Sequence, residues 1–264
     1  MGSSEAELEQ PCGNDHCDES TQCFADICLP PDVVDSLICD APSTDDTERE
    51  RIRVILHVRE FNDLGPPVQL RVVACRNTDV NCEKAEFTFQ DMDGLGDATL
   101  SLPRRFEGFL DVRSDDLVPA IWYSSEPLIQ DQEKLLLVPT RDTYELLSGI
   151  AGYMPKPNRG VVVLEAQDCN GHALGGVYFT DSKGTGEPYV IVDGLPNAEY
   201  KETVRDKEHN VAWGGFINAE PGFSVFAAYL GQDGPLLGQL NAWVQGDTLT
   251  YVDLVRPQVE PGAE

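Results

Sequence analysis

The sequence predicts an all-β protein built of two β-sandwich domains joined by a short helix and preceded by a small disulfide-rich segment. Three observations carry this expectation. Apolar residues recur at every second position over short runs, as at Ile52, Val54, Leu56 and Val58 and again at Phe223, Val225, Ala227 and Tyr229; this is the period of a strand with one buried face. The 23 Gly and 18 Pro scatter between such runs instead of gathering in one linker, which marks a many-turned fold. Residues 159–230 also echo residues 51–111, with strand, turn, strand, Gly-rich lead-in and a further strand pair about 105 residues on, as expected of two units of one architecture. Turn-rich β chains share such features without being duplicated, so the repeat stands as an expectation.

Length and charge bound the answer. The chain's 264 residues suit two ordinary domains, and no apolar run is long enough to span a membrane as a helix. Nineteen basic residues face 46 acidic ones for a net charge of −27, and the first fifty residues alone hold 14 acids against one base. Such a surface repels nucleic acid and anionic lipid, so nucleic acid is excluded as a partner.

Eight cysteines stand at 12, 17, 23, 28, 39, 75, 82 and 169. The first four are spaced C-x4-C-x5-C-x4-C, without the C-x2-C pair of zinc ribbons. Disulfides in an oxidising compartment are the better reading. Cys12 with Cys23 and Cys17 with Cys28 is the expected pairing, and Cys12 with Cys17 and Cys23 with Cys28 the competitor. Cys75 and Cys82 flank one loop and are expected to staple it. Cys39 and Cys169 are left to pair, which ties the segment before the first domain to the second.

Taken in order, residues 1–11 form an acidic tether. The start Met1-Gly2-Ser3-Ser4 reads as residues added to a mature chain, in the manner of bacterial lipoproteins cleaved before a lipid-bearing Cys, with a cloning scar or a natural start as alternatives. Any membrane contact is expected only through such an anchor. Residues 12–40 are the disulfide-rich segment and 41–50 a linker. The first domain covers 51–139, with strands at 52–58, 68–74, 87–89, 98–102, 106–112 and 117–123; the run 134–138 reads as a strand buried on both faces. Residues 140–150 are the helix, with Thr140 as N-cap and Asp142 in its first turn, and the boundary closes at 158. The second domain covers 159–257, with strands at 160–167, 175–180, 188–193, 211–218, 223–230, 236–244 and 248–255. A polar loop spans 193–210, and 258–264 form a tail.

Chemistry-bearing motifs are sparse. There is no G-x-S-x-G and no H-E-x-x-H. Two H-x-x-E matches, at His16 and His57, fall in the cysteine segment and on a strand, where i and i+3 face opposite ways. Asp91, Asp93 and Asp97 sketch part of a calcium loop, but Leu102 stands where its bidentate Glu belongs. An Asp-Gly hairpin is the plainer reading, so no metal or cofactor is expected. Trp122, Trp213 and Trp243, with Tyr123, could form a sugar-stacking platform or could be core.

Two stretches, GVVVLEAQDCNGHALGGVYF and GGFINAEPGFSVFAAYL, resemble the carboxypeptidase regulatory-like, or transthyretin-like, domain. The whole of 51–256 resembles secreted or lipid-anchored proteins of myxobacteria, in which a strand ends in Cys, an Asp-containing loop follows and a second Cys closes it, as from Cys75 to Cys82. The resemblance implies Greek-key sandwiches of seven or eight strands and a non-catalytic role in adhesion, spacing or ligand presentation. Some related surface domains lock themselves with Lys–Asn isopeptide bonds; neither first strand here, 51–58 or 160–167, holds a Lys, which counts against that chemistry.

The leading expectation is therefore a non-enzymatic extracellular, periplasmic or surface-anchored structural or adhesion-type protein with an unidentified protein or glycan as partner. The alternative is a carbohydrate-binding module using the three tryptophans. A third reading, an enzyme built on Asp206, Glu208 and His209 of the long loop, lacks the rigid support a catalytic site needs.

Overall fold

The computed structural model describes residues 10–12, 15–17, 20–24, 27–29, 31–37, 50–90, 94–168, 171–204 and 212–255. The chain is an all-β sandwich protein with a disulfide-bonded N-terminal segment. That segment holds four short strands, β1 (Gln10–Cys12), β2 (Asp15–Cys17), β3 (Gln22–Phe24) and β4 (Ile27–Leu29), paired as two antiparallel hairpins, then helix α1 (Pro31–Leu37). Cys17 is bonded to Cys28, with Cα atoms 5.3 Å apart; this bond excludes the adjacent pairing. Cys23 faces Cys28 across the β3–β4 ladder but is bonded elsewhere. The side chain of Cys12, and Cys39 and Cys169 entirely, lie outside the described residues.

The first half contains β5 (Arg51–Glu60), β6 (Arg71–Arg76), β7 (Phe87–Gln90), β8 (Asp97–Pro103), β9 (Gly108–Arg113), β10 (Ala120–Ser124) and β11 (Gln132–Val138). Cys75 and Cys82 are bonded and close the loop after β6. Helix α2 (Arg141–Ile150) follows, capped by Thr140, whose side chain accepts from the Thr143 N–H. The second half contains β12 (Gly160–Gln167), β13 (Val177–Asp181), β14 (Glu187–Val192), β15 (Leu195–Asn197), β16 (Trp213–Ala219), β17 (Gly222–Leu230), β18 (Leu236–Val244) and β19 (Leu249–Val255).

The two halves share one strand logic. In the first, the opening strand β5 lies between β8, antiparallel, and the closing strand β11, parallel. In the second, β12 lies between β16, antiparallel, and the closing strand β19, parallel. The sequence echo is thus a repeat of topology. The halves are also fused. β19 pairs in parallel with β10 of the first half, and this joins the strands into one nine-stranded sheet, β15-β14-β16-β12-β19-β10-β9-β6-β7.

Each face of that sheet has its own cover. Val72, Ala74, Leu110, Val112 and Trp122 point to one face and pack with Val54, Leu56, Leu100 and Leu102 of the three-stranded sheet β11-β5-β8. Their chain neighbours Val73, Cys75, Phe109 and Ile121 point the other way, as strand alternation requires. They join Val162, Leu164 and Val252 and, from the second three-stranded sheet β13-β17-β18, Val177 and Phe226. Leu37 of α1, wholly buried, belongs to this second cluster, with Leu29 and Val33 packed against it. Helix α1 thus packs on the body through its apolar residues.

Strands at the seam lose both faces to the interior. Ala120–Tyr123 and Leu249–Leu254 are buried without interruption, as expected of parallel strands inside a sheet. The sequence expectation placed this behaviour on 134–138. There the structure differs: β11 lies at the edge of a three-stranded sheet, and Leu135 is 48% exposed.

Close packing at the β12–β16 crossing needs a residue without a side chain. Gly215 sits at φ +150°, and a Cβ there would overlap the Val162 carbonyl oxygen. Gly215→Ala is expected to cost at least about 2 kcal/mol in urea denaturation through backbone displacement; a variant as stable as the parent would contradict this packing.

Candidate functional site

The seam carries charge into the core. Glu165 on β12 and Asp253 on β19 are register partners, so their side chains leave the sheet side by side. Both are buried, at 7% and 6% exposed. Lys134 reaches them from β11 in the opposite layer: its Nζ lies 2.8 Å from Glu165 Oε2 and 2.8 Å from Asp253 Oδ1. Two indoles complete the cluster. Trp122 Nε1 donates to Asp253 Oδ2 at 2.9 Å, and Trp213 Nε1 donates to Glu165 Oε1 at 3.0 Å. Gln167 Nε2 adds a bond to Glu165 Oε2 at 2.9 Å. Every carboxylate oxygen thus accepts at least one hydrogen bond, the condition for burying charge at tolerable cost.

The electrostatics follow from this geometry. Burial pushes the Asp253 carboxyl up, with Lys134 pulling it back. For Lys134 burial acts downward, but Asp253 and then Glu165 outweigh it and hold the ammonium above its ordinary range. The cluster keeps one cation between two anions. It ties a strand of the first half to two strands of the second, and Tyr251 adds a hydroxyl donated to the Leu137 carbonyl.

Beside the clasp, under α2, lies an apolar cavity of ≈ 70 Å³ whose lining includes Phe61, Tyr144, Tyr189, Trp213, Ile217 and Tyr251. Four of its polar groups are already engaged. Tyr189 donates to the Val162 carbonyl, Ser148 to the Tyr144 carbonyl, Tyr251 to Leu137 and Trp213 to Glu165. Such a lining can exclude water but presents these groups to no substrate. The arrangement holds two layers and two halves together.

The three tryptophans do not form a common platform. Trp122 is 3% exposed and Trp213 is half-buried, and both turn their indole N–H groups onto buried carboxylates. Trp243 lies on β18, edge-on to Phe223 with ring centroids 4.8 Å apart. Asp97 of the partial calcium loop is committed to groups of the protein itself, Arg59 Nη2 at 2.7 Å and His57 Nδ1 at 2.9 Å. Against the push of burial, these bonds hold its carboxyl below the usual range. Asp91 and Asp93 lie outside the described residues, as do Asp206, Glu208 and His209.

Sequence reasoning passed over Lys134, Glu165 and Asp253. The signal was a lone acid inside each of two apolar runs, GVVVLEAQ and LTYVDLV. An acid in a strand buried on both faces requires a cation across the layer.

No protein-family model matches the chain, and no curated protein matches it. Among solved structures it is similar to the Bacillus anthracis TIE protein, at 7% identity and a TM-score of 0.26, covering 78% of this chain and 34% of that one. It is similar to the shaft pilin spaA from Lactobacillus rhamnosus GG (D295N mutant), at 8% identity and a TM-score of 0.24, covering 80% of this chain and 100% of that one. It is also similar to GBS52, the minor pilin of Streptococcus agalactiae, at 12% identity and a TM-score of 0.24, covering 81% and 98%. Likenesses of this size carry no functional argument.

Lys134→Met leaves two buried carboxylates without their cation and is expected to cost about 3–5 kcal/mol at neutral pH. Burial already pushes the Asp253 carboxyl up, and without Lys134 to pull it back it titrates still higher in the folded than in the unfolded chain. Protonation then favours the fold, so the deficit should shrink as pH falls from 7 toward the ordinary carboxylate range. Urea denaturation of both proteins across that range measures it; a deficit that does not change with pH would contradict the clasp.

Proposed function

We propose that this is a non-enzymatic, extracellular or surface-anchored protein of structural or adhesion type, in which two fused transthyretin-like sandwiches act as one stiff spacer. The observation that carries the reading is the seam: a continuous sheet through both halves, clasped by Lys134, Glu165 and Asp253. The disulfides Cys17–Cys28 and Cys75–Cys82 favour an oxidising compartment. The resemblance to carboxypeptidase regulatory-like domains of secreted or lipid-anchored myxobacterial proteins supports the same setting, with the acidic N-terminal stretch as a tether behind a lipid anchor. Antibody labelling of intact cells that naturally produce the chain should mark their surface or their medium. Signal that appears only after the cytoplasm is released would contradict the proposal.

One distance favours a sharper version. Related surface domains lock themselves through lysine amide bonds. No Lys stands in either first strand, but Lys134 comes from a closing strand and lies against Asp253 with Glu165 beside it. Condensation would join Lys134 Nζ to Asp253 Cγ. Glu165 would relay two protons from the Lys134 ammonium, one before attack and one after it, to the departing Asp253 oxygen, so that one water leaves and no oxidant is needed. The reduced, denatured chain would then be lighter than its sequence by the mass of one water, and Glu165→Gln would restore the full mass. Full mass in the parent reduces the clasp to an ion pair. A peptide map of the same sample without reduction tests the proposed Cys39–Cys169 bond, and a free thiol on either residue ends that part of the proposal.

A further inference from the structure

The outward face of the sheet β13-β17-β18 departs from the rest of the surface. One residue in four of this chain is charged and the net charge is −27, yet neither nine-residue strand, β17 or β18, contains a charged residue. An antiparallel sheet with one face in the core ordinarily presents charged and polar side chains on the other. Here the solvent face carries Phe223, Val225 and Tyr229 on β17 and Gln239, Asn241 and Trp243 on β18. Alternation separates them from the buried Ser224, Phe226 and Ala228 and from Ala242 and Val244. Phe223 is 47% exposed and Val225 37%. Cross-strand pairing sets Phe223 against Trp243 and Val225 against Asn241, so rings and carboxamides lie next to one another. Lys183, at the Gly222 end, is occupied by the carbonyls of Glu220 and Pro221.

We propose that this face binds a neutral polysaccharide. Aromatic rings offer the apolar surface on which the C–H face of a sugar ring rests. The carboxamides of Gln239 and Asn241 each offer a donor and an acceptor to sugar hydroxyls. Freedom from charge at a recognition surface fits a neutral partner. Anionic polysaccharide is disfavoured by the −27 charge of the whole chain, and so is a second copy, which brings the same charge. The inference stands apart from the seam: a chain that binds no glycan keeps its clasp and its spacer role.

The test is affinity electrophoresis of the full chain in native gels cast with a neutral β-glucan, dextran or a neutral galactomannan, with alginate as the anionic control. At least one neutral polymer should retard the protein and alginate should not. Trp243→Ala should weaken the interaction about tenfold. Val225→Lys, at an exposed position that leaves the core untouched, should weaken it likewise while circular dichroism and the melting temperature stay those of the parent. Absence of retardation by all three neutral polymers, retardation indifferent to both substitutions, or equal retardation by alginate would overturn the proposal. So would a dimer in sedimentation that Val225→Lys dissociates, which would assign the face to a second copy.

Discussion

The parallel pairing of β10 with β19 is the constraint on which the rest of this structure depends. Two sandwiches that each closed on themselves would leave an edge strand on either side of the boundary, with unpaired backbone groups. Joined, those edges satisfy one another. The bonds run on past the strand ends, from Leu249 N–H to the Pro119 carbonyl and from Ser125 N–H to the Asp253 carbonyl. The cost is geometric. A sheet nine strands wide exposes more apolar face than one three-stranded sheet can cover, so each face needs a second lid. On one face α2 completes the cover; on the other, α1 and the disulfide-bonded segment add Leu37, Val33 and Leu29. The disulfide-rich segment is therefore part of the fold.

The same pairing explains the buried charge. Strands at the seam have no solvent-facing side, so Glu165 and Asp253 have no water to reach. Lys134, two indoles and Gln167 replace it. A buried ion cluster is weak evidence for net stability, because apolar residues of similar volume often do as well. What the cluster supplies is specificity. Only one register of β12 against β19, and one position of β11 above them, brings a single lysine to both acids. A slip of one residue would turn a carboxylate into the opposite apolar layer.

Much of the architecture is legible in the sequence, and what escapes is non-local. The alternation Ile52, Val54, Leu56, Val58 marks β5 correctly because burial on one face is written in a period of two. Thr140 and Asp142 mark the start of α2 because capping is local chemistry. The repeat of strand order in the two halves leaves a trace in the spacing of turns. The parallel junction of β10 and β19 leaves none, since pairing between distant strands is chosen by packing. Reading residues 134–138 as doubly buried fails for the same reason: an apolar run shows that burial is available, and only topology decides which strand receives it. The tryptophans are the clearest case. Their size and polar tip suit a sugar platform or a core equally, and only the positions of Glu165 and Asp253 decide that Trp122 and Trp213 turn onto the clasp while Trp243, also half-buried, pairs with Phe223 on another sheet.

The two halves share a sheet and should therefore behave as one cooperative body. Native-state hydrogen exchange of the seam amides measures this most directly. Amides of Ile121, Tyr123, Thr250 and Val252 are expected to exchange only through global unfolding, with the same opening free energy as core amides of β5 and β17. Seam amides that open at markedly lower free energy than the cores on either side would show two sandwiches that merely touch, and would contradict the claim.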